Sequence, residues 1–230
     1  MHAAAASAID RRRFAAGTAS AIAGVLLLPQ PTVAEVPSLA AYSDSRGYFE
    51  ISLPANWVRA ERKGDQEAKG VLFVTGNYVK AITLSVAIIK SSQLLRDAGT
   101  APLVLPTDDL TTWAGVGTPM GIAKLLAFRR DQDAAQAAAQ DSEVLPDTVV
   151  LDGNALTFMI KTRVPVQRPD LLEKERGVRE LYRLTYGKAL MRGDGTFLLC
   201  WAGALNTEWG EPTNARDTLA AVVASFHLGL

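Results

Sequence analysis

Few residues in this chain are of types that carry covalent chemistry. There is one cysteine, Cys200, and there are two histidines, His2 and His227. A serine or cysteine nucleophile ordinarily works with a nearby base, most often histidine. Beyond the N-terminal leader described below only His227 is available, and it falls at the end of the last expected helix, where a terminal, surface or half-buried role is the plain reading. Cys200 lies between Leu199 and Trp201 in a strongly apolar run and reads as core. No cysteine–histidine spacing matches a zinc site, and no glycine-rich loop is placed to cradle phosphate. The segment RGDGT, from Arg192, reads as a hairpin turn rather than an adhesion motif. The expectation is a protein that is not an enzyme.

Two further groups suggest binding. Asp108-Asp109, Asp131/Asp133 and Asp141/Glu143 invite a calcium site. Residues two apart on a helix point away from each other, and none of these pairs sits in the calcium-loop pattern with its central glycine. A solvated face is the favoured reading, yet one pair assisted by another segment would bind a hard cation, so calcium is the one cofactor left open. The second group lies between Arg163 and Arg179, where QRPDLLEKERGVRE alternates in charge around Leu171-Leu172. Arg168, Asp170, Leu171, Leu172, Glu173, Lys174 and Arg176 are the candidate partner-docking residues, on a loop of the kind that often carries recognition. An ordinary solvated loop is an equal alternative.

The compartment follows from the stretch DRRRFAAGTASAIAGVLLLPQPTVAE, residues 10–35. Its apolar run, Ala15 to Leu28, falls short of the roughly 20 residues that span a bilayer, and Pro29 and Pro31 end it. A basic start, a short apolar middle and small residues before a cut after Ala34 match a removed address. Arg11, Arg12 and Phe14 resemble the twin-arginine export signal. The expected organisation is a leader over 1–34, a short linker over 35–41 and one domain over 42–230, with no transmembrane segment after cleavage. The cut leaves about 195 residues, enough for one domain with a real core.

Composition narrows the partners. The whole chain has 24 basic and 24 acidic residues; the leader takes three arginines and one aspartate with it, so the remainder is net −2. Nothing in that balance seeks nucleic acid, where phosphate neutralisation dominates affinity. A single cysteine forbids an internal disulfide in an exported protein, which suits a thylakoid lumen or a periplasm reached through the twin-arginine route. The alanine-rich, acid-free first nine residues favour an organelle transit peptide.

The elements that must position these residues come from periodicity. GYFEISLP alternates, with Phe49, Ile51 and Leu53 on one face, and Pro54 closes the strand. GVLFVTG and KAITLSVAIIK form a hairpin about Gly76-Asn77. Thr107 caps a short helix running through Trp113. Thr118 and Pro119 open a long helix over residues 118–143 with a stripe of Ile122, Leu125 and Leu126, and its alanine-rich second half has little to bury. TVVLDGNALTFMIKTRV gives two strands about Asp152-Gly153-Asn154, VRELYRLTYGKALM and TFLLCWAGAL give two more, and Leu219, Val222, Val223 and Phe226 mark an amphipathic closing helix. Short turns favour antiparallel pairing. The fold class is α+β, an α/β/α sandwich with one central antiparallel sheet covered by helices.

In this order the segments resemble the PsbP family of extrinsic photosystem II proteins. Tyr42 to Trp57 (YSDSRGYFEISLPANW) resembles its opening motif, VLFVTGNYVKAITLSVAII its second strand pair, and VVLDGNALTFMIKTRV its later strand. GTFLLCWAGALNTEWGEPTNARDTLAAVVASFHL resembles its closing strand, tryptophan and helix. The resemblance implies the PsbP-like, Mog1-like sandwich and a chloroplast thylakoid lumen location, with a bacterial periplasm as the alternative. It implies a non-catalytic role at the lumenal face of a photosystem, photosystem II above all, retaining calcium and chloride at the oxygen-evolving centre or assisting assembly. An exported enzyme or a ligand-binding module on the same fold is the alternative. The long N-terminal arm of the main family member is missing and no ion-binding residue can be matched, so a PsbP-like or PsbP-domain protein is favoured over the oxygen-evolving subunit itself.

Overall fold

The computed structural model describes residues 38–60, 70–97, 109–134, 142–210 and 212–229. The targeting residues Arg11, Arg12, Phe14 and Ala34, together with Thr107, Asp108, Asp141 and the alanine-rich stretch 135–140, lie outside the described residues. In chain order the elements are β1 (Leu39–Ser43), β2 (Phe49–Pro54), β3 (Val58–Arg59), β4 (Val71–Asn77), β5 (Ile82–Lys90), α1 (Ser91–Asp97), α2 (Trp113–Val116) and α3 (Pro119–Ala134). They continue with β6 (Ser142–Asp152), β7 (Ala155–Val164), α4 (Pro169–Arg176), β8 (Leu181–Met191), β9 (Thr196–Leu205), α5 (Ala215–Ala224) and β10 (His227–Leu228).

Seven strands form one antiparallel sheet in the order β3-β4-β5-β9-β8-β7-β6. The position of β9 at its centre explains the unbroken apolar run TFLLCWAGAL, because a strand covered on both faces has no polar side to alternate with. Leu198, Cys200, Ala202 and Ala204 enter one core, with β2 and α5. Phe197, Leu199 and Trp201 enter the other, with α1, α2 and α3. The α+β sandwich expected from the sequence is therefore present. Its central antiparallel sheet is the seven-stranded one, and β1, β2 and β10 add a second, three-stranded antiparallel sheet over the face that α5 shares, which the sequence reading did not anticipate.

On that face Phe49 is fully buried and lies 5.9 Å from Phe73 and 5.7 Å from Phe226, centroid to centroid. The alternation read in β2 is correct, and so is the apolar face of α5, although Phe226 follows the helix rather than ending it. On the opposite face Leu156, Phe158 and Ile160 of β7 are buried as the period-2 pattern requires. Phe158 meets Trp201 edge to face at 5.4 Å. Gly187 on β8 makes room for that pair, since a Cβ there would come within 2.7 Å of Phe158 and 2.9 Å of Trp201.

Several boundaries differ from the sequence reading. The hairpin between β4 and β5 turns at Tyr78–Lys80 with Ala81 in the left-handed region, while Asn77 ends β4 and its side chain caps the turn through Lys80 N. The short helix starts at Trp113 instead of ending there, and Thr112 is its cap, with Oγ1 accepting from Gly115 N at 3.3 Å. Thr118 and Pro119 do open α3. Ser142 and Glu143 belong to β6 rather than to that helix. Pro146 is tolerated inside β6 because β6 is an edge strand. The register slips between Leu145 and Val150, and there Thr148 Oγ1 donates to Leu145 O and accepts from Met159 N. Strand β1 takes in Leu39–Ala41, which the sequence reading had placed in a linker.

Candidate functional site

The charge-alternating segment leaves the sheet between β7 and β8, and its middle is a helix, α4, rather than a loop. Pro169 supplies the first helical residue, whose missing N–H costs nothing there. Gly177 adopts φ 71° and closes the helix with its N–H on Glu173 O at 2.9 Å. None of its residues is buried, and Leu171 is 40 % exposed.

Its charges partly cancel one another. Arg168 Nη2 lies 3.4 Å from Asp170 Oδ2, Arg179 Nε 2.9 Å from Glu173 Oε2, and Arg163 Nη2 3.7 Å from Glu180 Oε1. All six side chains are at least half exposed, so these pairs contribute little stability. Lys174 and Arg176 have no ion-pair partner among the described residues. At the base of α4 is a cleft of about 610 Å³ lined by Arg163, Val164, Pro165, Pro169, Arg179 and Leu181, among others. The structure thus brings Arg168, Asp170, Leu171, Leu172, Glu173, Lys174 and Arg176 onto one projecting helix, while the cleft is walled mainly by the residues flanking them.

The other sequence candidates have structural partners. Asp109 Oδ1 accepts from Thr111 N at 3.0 Å and from the Thr111 hydroxyl, bonds that lower its pKa from the ordinary carboxylate value. Asp131 ties α3 to β6, accepting from Ser142 N at 2.9 Å and Ser142 Oγ at 2.7 Å. Among the described residues no group of three or more His, Cys, Asp and Glu side chains is placed to hold a metal. Asp194 of the RGDG turn accepts from Thr196 N and Oγ1, so its carboxylate serves its own turn.

His227 is in β10, not at the end of a helix: it pairs opposite Glu50, with Nε2 3.6 Å from Glu50 Oε2. Cys200 is buried in the strand core as expected, and burial pushes its thiol up to about 12, with Lys188 pulling slightly the other way. That thiol is protonated at physiological pH and is a poor nucleophile.

Sequence reasoning missed two arginines inside the fold. Arg130, on α3, donates from Nη1 to Thr162 Oγ1 at 3.2 Å and lies over the Trp201 ring, 5.6 Å from its centroid. Arg183, on β8, donates from Nη1 to Ala81 O at 3.0 Å, Gly203 O at 3.1 Å and Thr83 Oγ1 at 3.2 Å. Burial lowers both pKa values from the guanidinium range, and for Arg130 the neighbouring Asp131 opposes that shift while Arg183 adds to it. The only sequence signal was a cation alternating with threonine in RLTYG, where an apolar residue would be routine.

No protein-family model matches this sequence, and no curated protein matches it. Among solved structures, cyanobacterial PsbP (CyanoP) from Synechocystis sp. PCC 6803 superposes with a TM-score of 0.53 at 19 % identity, covering 88 % of this chain and 98 % of that one. A mutant of protein Mog1 gives 0.46 at 12 %, covering 84 % of this chain and 96 % of that one. LpqN, described as involved in cell envelope biogenesis of Mycobacterium tuberculosis, gives 0.39 at 9 %, covering 84 % of this chain and 91 % of that one. The likeness to the cyanobacterial protein shows a shared fold.

Proposed function

We propose that this chain is a PsbP-like, non-catalytic protein of the thylakoid lumen that associates peripherally with a photosystem, photosystem II in the first instance. The observation that carries the reading is the superposition on cyanobacterial PsbP, which takes in 98 % of that chain and 88 % of this one. The leader, with Arg11-Arg12 and Phe14 ahead of a short apolar run, supports delivery to the lumen. Among the described residues no helix is long and apolar enough to cross a membrane; in this reading attachment is to protein at the lumenal face.

The projecting helix α4 is the docking element in this reading. Lys174, one turn from Leu171 on the same side of the helix, presents positive charge with no ion-pair partner among the described residues, and Leu171 offers an apolar anchor beside it; Arg176 adds a second such charge on another side of the same helix. An acidic lumenal surface suits that combination, since charge complementarity sets encounter rate and register more than affinity. A role in retaining calcium or chloride, or in assembly, belongs to the same reading.

Native-gel fractionation of thylakoid membranes, with the protein followed by antibody, tests it. Co-migration with a photosystem complex or an assembly intermediate is the expected result. Migration solely as a free lumenal monomer, together with normal photosystem abundance and activity after deletion of the gene, would remove the reading.

A further inference from the structure

Among the described residues a cleft of about 230 Å³ lies on the face of the large sheet beside α3, over β4, β5, β8 and β9. Val74, Thr83, Ser85, Arg130, Thr185, Trp201 and Gly203 line it. Three of its features favour a negatively charged occupant. Arg130 forms one wall, and Arg183 donates to two other lining residues, Thr83 and Gly203; the Arg183 charge adds to the lowering of the Arg130 pKa that burial begins. Among the described residues neither lies within ion-pair distance of a carboxylate. Asp131 favours the Arg130 charge electrostatically and is linked to it by hydrogen bonds through Ser142 and Thr162, whereas Arg183 has no such relay. All the bonds these guanidiniums make are through Nη1, leaving Nε and Nη2 of both without a partner among the described residues.

The third feature is Thr185. It is 2 % exposed, lines the cleft, and its hydroxyl makes no hydrogen bond among the described residues. A buried hydroxyl without a partner is rare and costly. The neighbouring position is glycine, and a Cβ at Gly203 would collide with that hydroxyl, so the backbone leaves it room. An interior cation without a carboxylate is likewise costly.

We propose that this cleft is a binding site for a small oxyanion, a carboxylate or phosphoryl group held by Arg130 in the cleft wall, with the Thr185 hydroxyl as an additional donor and Arg183 adding positive charge from behind Thr83 and Gly203. Guanidinium forks match the two-oxygen edge of either group. Thr83 and Ser85 supply further hydroxyls on β5, and Trp201 gives the cleft an apolar wall for a short carbon skeleton. The site is independent of photosystem association and would stand if that reading failed.

The test uses the full chain. Inorganic phosphate and succinate are titrated separately by calorimetry and by thermal melting, with sodium chloride at matched ionic strength as the control. Saturable binding of at least one oxyanion, absent with chloride, is expected, and the tighter of the two assigns the class. Arg130→Gln should weaken it at least tenfold. Thr185→Val has an opposed signature: without ligand it should melt at the same or a higher temperature, having lost an unpartnered hydroxyl, while its oxyanion affinity falls several-fold. That variant decides the matter if Arg130→Gln does not fold. No binding beyond chloride, or oxyanion binding unchanged in Thr185→Val, would overturn the site.

Discussion

The arginines of α4 and its flanks and the arginines of the sheet cleft differ in almost every energetic respect. Arg163, Arg168 and Arg179 stand in water, each within reach of an acid, at little cost and with little gain. Arg130 and Arg183 are largely withdrawn from water and have no carboxylate at ion-pair distance among the described residues. The first group dominates the sequence, as a run of alternating charge. The second is scattered as single letters among apolar and threonine residues. Density of charge in a sequence therefore marks where charge is cheap, and the costly charges, which constrain the fold and suggest a ligand, are inconspicuous.

The comparison can be broken most forcefully at the floor of the helix-side core. Phe158→Ala removes the edge-to-face partner of Trp201, whose ring also carries Arg130, and should cost about 3–5 kcal/mol in urea unfolding. A loss below about 1 kcal/mol would mean that the cleft wall does not depend on this core. Next in size is Arg183→Met, which keeps the stem but leaves Ala81 O, Gly203 O and Thr83 Oγ1 without their donor. We expect a loss of about 1–3 kcal/mol, offset in part by relief of the buried charge. Stability unchanged or raised would show that the charge costs more than its three bonds return.

Arg179→Ala sharpens the contrast from the other side. It deletes the shortest ion pair of the α4 region, yet the change should stay within about 0.5 kcal/mol. A larger loss would show that α4 is held by its charges and not by Pro169 and Gly177. The smallest effect is the acid response of Asp194. Its pKa is lowered first by the Thr196 hydroxyl bond, with burial opposing. The stability it adds is present above the ordinary aspartate range and is lost as pH falls through the depressed folded value. Being about half exposed, it should contribute no more than a few tenths of a kcal/mol, read as a slightly shallower acid limb of the melting curve in Asp194→Asn.

Sequence periodicity showed what local physics decides. The faces of β2, β7 and α5, the Thr118-Pro119 start of α3 and the core position of Cys200 all follow from side-chain period, capping or burial, and the structure agrees. What stayed hidden depends on partners far along the chain. The second sheet needs a two-residue strand, His227–Leu228, to find Glu50 and Phe49, and no pattern of two residues is visible. Pro146 inside β6 reads as a break until the strand is known to be an edge. Helix α4 reads as a loop in the sequence, although Pro169 stands at its start and Gly177 after its end, because its run of alternating charge looks like a solvated connection. Of the candidate site, sequence reasoning found the projecting segment and missed the cleft, because Arg130, Arg183 and Thr185 come together only when α3 crosses the sheet.

We propose that α4 docks this protein at a photosystem. The measurement that tests it most directly is native-gel co-migration of the wild-type protein beside the double variant Lys174→Glu/Arg176→Glu, with folding of both checked by thermal melting. The account predicts equal melting temperatures and co-migration of the wild type with a photosystem complex, reduced at least tenfold in the variant. Equal co-migration of both proteins, or none for the wild type, would contradict it.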